Sequence, residues 1–232
     1  EVASNGDLSS RDLRVHLFPT DNEAFMATAA AITEIIKLNT DKNQTSNVIL
    51  AAGNSVSKTL SFLSPSATDW QRVNWYLADE RHVGTENPLR NDRQIAVALG
   101  DSLGESHGRV FSPSPLLALK EAAAEYASRI ERINMFDFCL LGMGDDGHIA
   151  SLLPGHRALK ATDSCCLVSD SPNPPSQRIT LSMTTLRNTK NRIVVTAGAT
   201  KRQAVLEFRS DPHTPVRIFD PSLVVLDHGA SK

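Results

Sequence analysis

Short apolar runs, many of them β-branched, alternate along this chain with segments whose apolar positions recur at helical spacing. That rhythm predicts an α/β fold, Rossmann-like, with a mostly parallel sheet flanked by helices on both faces. Phe25, Ala29, Ile32 and Ile36 fall on one helical face, and Thr20 with Glu23 three positions later forms a capping box, so a helix is predicted over about 22–38. The run 48–51 reads as a buried strand, followed by the turn Ala52-Gly53-Asn54-Ser55 and a helix over about 55–63. A second strand over 73–78 ends in Asp79-Glu80-Arg81-His82, Asn87-Pro88 marks a loop, and 89–99 has a helical pattern. Pro113 and Pro115 precede a stretch over 116–133 whose Ala, Glu and Leu content favours a long helix. The apolar strand 136–141 then runs into LGMGDDGHIASLLPGH, where the glycines are expected to give way to a short helix. Further strands are expected at about 164–169, 178–182, 191–196 and 223–227, with a helix over 199–208. No repeat, low-complexity tract or linker interrupts the pattern. One domain over 11–232 is therefore expected, with residues 1–10 a disordered or trimmed N-terminus.

Composition excludes several function classes. The chain has 232 residues, 41% hydrophobic and 22% charged, the balance of an ordinary globular protein. A net charge of −2 argues against nucleic acid, whose phosphates are normally met by a surplus of Lys and Arg. No run of about 18 apolar residues reads as a membrane segment, and the polar start EVASNGDLSS lacks the apolar stretch of a secretory signal. Cys139, Cys165 and Cys166 make no disulfide framework, and an adjacent pair meets bridge geometry poorly, so a reducing, cytoplasmic setting is expected. No Cys/His spacing resembles a zinc site, and the expectation is no metal and no cofactor. The absence of a G-x-S-x-G elbow disfavours a serine hydrolase. A small-molecule partner remains, with monomer and dimer both open.

In open α/β sheets ligands gather outside the carboxyl ends of the strands, where strand order reverses. Four polar clusters fall at such ends: Gly53-Asn54-Ser55, Asp79-Glu80-Arg81, Gly144 to His148, and Gly198 to Lys201. The third is the most informative. Gly144 and Gly147 let backbone approach a ligand, while Asp146 and His148 supply the carboxylate and imidazole that acid-base chemistry needs. Its plainer reading is a glycine turn with Asp146 as a helix cap. Gly53, Asn54 and Ser55 at a helix start suit phosphate, although an ordinary N-cap by Asn54 or Ser55 accounts for the same residues. Asp79 and Arg81 belong to a strand end that also reads as a solvated salt-bridge cluster. Arg178 and Lys201 are cations able to pair with phosphate, but Arg178 stands at the start of its own strand, away from the end where ligands gather.

Taken in order from about residue 15 to 228, these segments resemble the 6-phosphogluconolactonase family, within the wider group that includes glucosamine-6-phosphate deaminases. FDFCLLGMGDDGHIASLLPGH at 136–156 resembles the family's strand, Gly-x-Gly-x-Asp-Gly-His loop and Ser-Leu-x-Pro-Gly sequel. WYLADERHVG at 75–84, PPSQRITLS at 174–182 and TAGATK at 196–201 resemble three further family segments, in the same order. The resemblance implies a Rossmann-like fold and hydrolysis of 6-phospho-D-glucono-1,5-lactone to 6-phosphogluconate, a step of the pentose phosphate pathway. It implies His148 as the general base and Asp146 as its positioning partner. Arg178 and Lys201 match cations that hold the substrate phosphate, Arg81 an arginine near the substrate, and Asn91 the asparagine that follows the Asp-Glu-Arg segment.

Two departures bear on the site. The family's loop, close to Gly-Gly-Ser-Thr-Pro, is Ala52-Gly53-Asn54-Ser55-Val56 here, which puts its phosphate contacts in question. Arg90 stands where the family commonly has Ser, and is expected either to add a phosphate contact or to point to solvent. Two other functions remain in view. A deaminase or isomerase would use Asp79 to move a proton on carbon together with a glutamate five positions after the loop histidine, but that position is Leu153. A sugar-phosphate-binding module without turnover would need neither Asp146 nor His148.

Overall fold

The computed structural model describes residues 13–231. The expectation for residues 1–10 lies outside the described residues. In chain order the elements are β1 Val15–Phe18, α1 Asp21–Thr40, β2 Ser46–Leu50, α2 Asn54–Leu60, β3 Val73–Leu77 and β4 Asp79–Arg81. There follow α3 Asn91–Leu103, β5 Arg109–Phe111, α4 Leu119–Ile130, β6 Phe136–Leu141, β7 Cys165–Val168 and β8 Arg178–Leu181. The chain ends with α5 Met183–Arg187, β9 Thr189–Thr196, α6 Arg202–Ser210, α7 Pro215–Phe219, β10 Leu223–Asp227 and α8 His228–Ser231.

Local chemistry starts α1 as its sequence indicates. Thr20 Oγ1 accepts from the Glu23 amide at 3.2 Å and Glu23 returns a carboxylate to the Thr20 amide at 3.0 Å, satisfying two amides that no helical carbonyl reaches. Phe25, Ala29, Ile32 and Ile36 are buried. They pack on a seven-stranded, wholly parallel sheet of order β1-β10-β9-β6-β2-β3-β5. Successive strand side chains point to opposite faces, so Val48, Leu50, Trp75, Leu77, Phe138 and Leu140 join one core with α1, α2 and α3. Ile49, Tyr76, Cys139 and Leu141 join the other with α4 and α6. Helices on both faces explain why every residue of β6 is buried and why that strand is apolar apart from Asp137, whose carboxylate accepts from the Asn47 amide at 2.9 Å and pairs with Lys190 at 2.8 Å.

The chain steps outward from β2 to β3 to β5 and then returns to β6 on the other side of β2. The loops after β2 and β6 therefore part at the point where strand order reverses, which opens a crevice. A second, antiparallel sheet of order β4-β8-β7 lies against that end. Ala78 is the corner between the sheets: its amide donates to Leu50 O and its carbonyl accepts from the Leu181 amide, both at 2.8 Å. Because β8 runs antiparallel to β4, its first residue Arg178 lies directly opposite Arg81 at the end of β4.

Several sequence expectations need correction. Residues 142–156 form turns rather than a short helix, and the first helical turn after them is a 3-10 turn, Arg157–Lys160. Gly147 and Gly155 adopt positive φ, as does Ala150, and these residues reverse the chain where a helix would need continuous right-handed backbone. The helix expected over 116–133 is shortened to α4, and that expected over 199–208 opens as a 3-10 turn, Ala199–Lys201, before α6. Among the described residues no helix is long and apolar enough to cross a membrane.

Candidate active site

At the crevice, Gly53, Asn54, Ser55, Asp79, Arg81, Asn91, Gly144, His148, Arg178 and Lys201 line one cavity of about 420 Å³. Two further sequence candidates, Asp146 and Gly147, are not on its wall; they hold His148. Asp146 Oδ1 lies 2.5 Å from His148 Nδ1 and accepts from the His148 amide at 3.2 Å. Burial raises the Asp146 carboxyl, but the His148 ring and the N–H donors outweigh it and hold the group below its usual range. With Nδ1 engaged, Nε2 has no hydrogen-bond partner among the described residues. Gly144 donates to His148 O at 2.8 Å and Gly147 donates to Gly144 O at 3.1 Å, closing the loop under the imidazole. Gly147 has φ +80, a conformation costly for any residue with a Cβ.

Asp79 faces the cavity from β4. Ser151 Oγ donates to its Oδ2 at 2.6 Å, and Asn91 Nδ2 donates to its Oδ1 at 3.2 Å and to its carbonyl at 2.9 Å. Both carboxylate oxygens thus have a donor. Asn91 Oδ1 and Arg81 Nε are buried without a partner among the described residues, one acceptor and one donor left unmet behind the cavity wall. Arg81 is anchored by its Nη1, which donates to Leu89 O at 2.9 Å.

The neighbouring Glu80 points away from the cavity and organises α3. Its carboxylate accepts from the amides of Arg81, Asn91 and Asp92 at 2.7, 2.7 and 2.9 Å, meeting otherwise free N–H groups at the start of that helix. Burial pushes the carboxyl up to about 7, against these donors and the Arg90 charge. Arg90 neither reaches toward a phosphate nor points to solvent. It is buried, pairs with Asp92 and with Glu80 at 3.4 Å, and donates to Pro113 O at 3.3 Å. The buried carboxylate of Glu80 and the part-buried one of Asp92 account for a guanidinium there, because an unpaired buried charge is expensive.

Arg178 is fixed by carbonyls of the segment before it: Nη2 donates to Asn173 O at 2.7 Å and Nε to Pro175 O at 3.1 Å. Lys201, at the end of the 3-10 turn after β9, puts Nζ 2.6 Å from Asp145 Oδ1. Gly53 is the N-cap of α2 and no side chain caps that helix, so the expected capping by Asn54 or Ser55 does not occur. A larger groove of about 880 Å³ adjoins the cavity and shares Asn54 and Ser55 with it, but the converging charged groups belong to the smaller one. Among the described residues no group of three or more His, Cys, Asp or Glu is arranged to hold a metal. Ser151 was not foreseen as a site residue, and Asp145 and Thr200 fell inside two of the polar clusters without being singled out. Ser151 meets Asp79 across 72 positions of sequence, and no local pattern announces that contact.

Comparison with known proteins places the chain among relatives of one family. The family described as glucosamine-6-phosphate isomerases/6-phosphogluconolactonase matches residues 19–227. The 6-phosphogluconolactonase of Streptomyces coelicolor is 32% identical over 206 residues, which cover 80% of this chain and 78% of that protein. A crystal structure of a 6-phosphogluconolactonase from Shewanella baltica superposes with a TM-score of 0.80 at 23% identity, covering 94% of this chain and 98% of that one. A monomeric glucosamine-6-phosphate deaminase superposes nearly as well, with a TM-score of 0.78 at 18% identity over 94% and 98%. Structural likeness at such identities shows the fold and leaves the reaction to the site.

Proposed function

The chain belongs to the glucosamine-6-phosphate isomerase/6-phosphogluconolactonase family, and on that premise we propose that it hydrolyses 6-phospho-D-glucono-1,5-lactone to 6-phosphogluconate in the cytoplasm, with His148 as general base. One observation carries this reading: an imidazole oriented through Nδ1 by a carboxylate 2.5 Å away shares its cavity with three cations, Arg81, Arg178 and Lys201.

In this mechanism His148 Nε2 takes a proton from water while the water oxygen attacks the lactone carbonyl. Asp146 keeps the ring in the tautomer that leaves Nε2 free and stabilises the imidazolium that forms. Charge developing on the carbonyl oxygen is met by Arg81 or by backbone N–H groups of the glycine loop. Collapse of the tetrahedral intermediate breaks the bond to the ring oxygen, which recovers the proton from His148, and the ring opens to the hydroxy acid. General-base catalysis supplies about 10² to 10⁴-fold and an oxyanion donor about 10² to 10³-fold, ample for an already reactive ester. Arg178 and Lys201 grip the phosphate at the far end of the substrate, so binding energy remote from the broken bond orients the carbonyl.

Proton transfer on carbon, as in a deaminase, is less well supported. Both oxygens of Asp79 already accept hydrogen bonds, and Leu153 stands where a second carboxylate would be needed. The decisive measurement is acid release from freshly prepared lactone above the spontaneous rate, with the unphosphorylated lactone as control. His148→Ala should lower kcat about 10² to 10⁴-fold with the fold intact by circular dichroism. Unchanged turnover in that variant removes His148 from the mechanism, and ammonia release from glucosamine 6-phosphate overturns the choice of reaction.

A further inference from the structure

Lys201 is already paired with a carboxylate. Asp145, from the loop after β6, accepts from Lys201 Nζ at 2.6 Å and from Thr200 Oγ1 at 3.2 Å, so one carboxylate oxygen joins two donors of the turn after β9 across the cavity. The other two cations differ. Among the described residues neither Arg81 nor Arg178 pairs with a carboxylate, and their anchoring bonds go to neutral backbone carbonyls. The Lys201 side chain retains 19% of its exposure, whereas that of Asp145 retains 64%. A ligand taking the ammonium would therefore release a carboxylate that is already largely in water and regains full hydration by a side-chain rotation. The Lys201 bond also holds the Asp145 carboxyl below its ordinary range, so the carboxylate is ionised at neutral pH.

Resting on the reading that Lys201 holds the substrate phosphate, we propose that Asp145 is an internal competitor for that lysine, which weakens the grip on phosphate and so lets the phosphorylated product leave. Hydrolysis creates the need. The product keeps the phosphate and gains a carboxylate, so a site built only from cations would bind it at least as tightly as the lactone. Interactions made equally with substrate and transition state lower KM without raising kcat, and the same interactions retain product. A carboxylate that returns to Lys201 as the phosphate departs offsets this, and each departure restores the ion pair.

The test is a double-mutant cycle read by calorimetric binding of inorganic phosphate and of 6-phosphogluconate, neither of which requires turnover. Asp145→Asn keeps the shape and an acceptor oxygen but removes the competing charge. Both ligands should bind roughly two- to fivefold tighter, the scale expected for one partly exposed charge interaction. The KM of this variant should fall by a similar factor without a rise in kcat. Lys201→Gln should weaken binding, and adding Asp145→Asn to it should restore little, since nothing then remains to compete for. Unchanged or weaker phosphate binding in Asp145→Asn, with Lys201→Gln still weakened, overturns the competitor role and makes Asp145 a positioning residue for the lysine. If Lys201→Gln binds phosphate as well as the unaltered protein, the assignment of Lys201 to phosphate fails, and the competitor role fails with it.

Discussion

Gly144 shows how much of the candidate chemistry depends on one missing methyl group. A Cβ at that position would meet His148 Nδ1 at 2.2 Å, His148 Cε1 at 2.3 Å and Asp146 Oδ1 at 2.6 Å, inside the contact distance of each. Gly144→Ala should therefore displace the imidazole instead of simply stiffening a loop. A misplacement of about 1 Å costs on the order of 10²-fold in rate, so kcat should fall by about that factor while the thermal midpoint moves only a few degrees. Steady-state kinetics and a melting curve on the same sample check it, and an unaffected kcat would mean the ring tolerates the shift. The Gly-Met-Gly-Asp-Asp-Gly-His run was legible in the sequence because glycines beside a carboxylate and an imidazole are hard to explain by packing alone. Ser151 and Arg90 were not legible. The first acts through a carboxylate 72 positions away, and the second, which looks like a phosphate ligand or a surface cation, is buried by partners that only the fold supplies.

At the scale of elements, β4 and α3 form one unit through Glu80. The sequence pattern announced a helix over 89–99, but its start at Asn91 depends on a carboxylate eleven positions earlier, so no local capping residue marks it. That carboxyl also carries a pH prediction. Folded, it retains its proton up to about 7; unfolded, it releases it near the ordinary 4.5. Between those values the folded chain binds more protons than the unfolded one, so this group's contribution to stability is fully present below about 4.5 and is lost as pH rises through 7. Arg90 and Asp92 share the cluster, and Asp92 stays ionised throughout that window because its carboxyl, despite burial, is held below its usual value by Arg90 and Ser112. Glu80→Gln removes the titration. The decline in melting temperature between pH 5 and 7.5 should be shallower in the variant than in the unaltered protein, and parallel pH profiles would show that Glu80 is ionised in both states.

For the whole molecule, the five central strands of the parallel sheet were readable because apolar runs alternate with helices, whereas the edge strands β1 and β5, four and three residues long, are too short to show a pattern. The three-stranded sheet was not readable, since pairing Asp79 with Thr180 and Arg81 with Arg178 joins segments about a hundred residues apart, and periodicity carries no information about such partners. That small sheet nevertheless brings Arg178 to the cavity, so the candidate site exists only while both sheets are folded and joined at Ala78. We propose that residues 11–232 unfold as one domain, and the stacked Trp70 and Trp75 in the core on one face of the large sheet and the buried Cys165 in the small one supply independent reporters. Tryptophan fluorescence and thiol reactivity of Cys165 should share one denaturation midpoint. A ligand that binds only the complete site stabilises both reporters equally, so 6-phosphogluconate at a hundred times its Kd should raise each by about 2.7 kcal/mol. Exposure of Cys165 at lower denaturant than the tryptophan transition would divide the chain into two units. If the ligand then protected the thiol alone, the phosphate grip would depend on the small sheet more than on the loops of the large one.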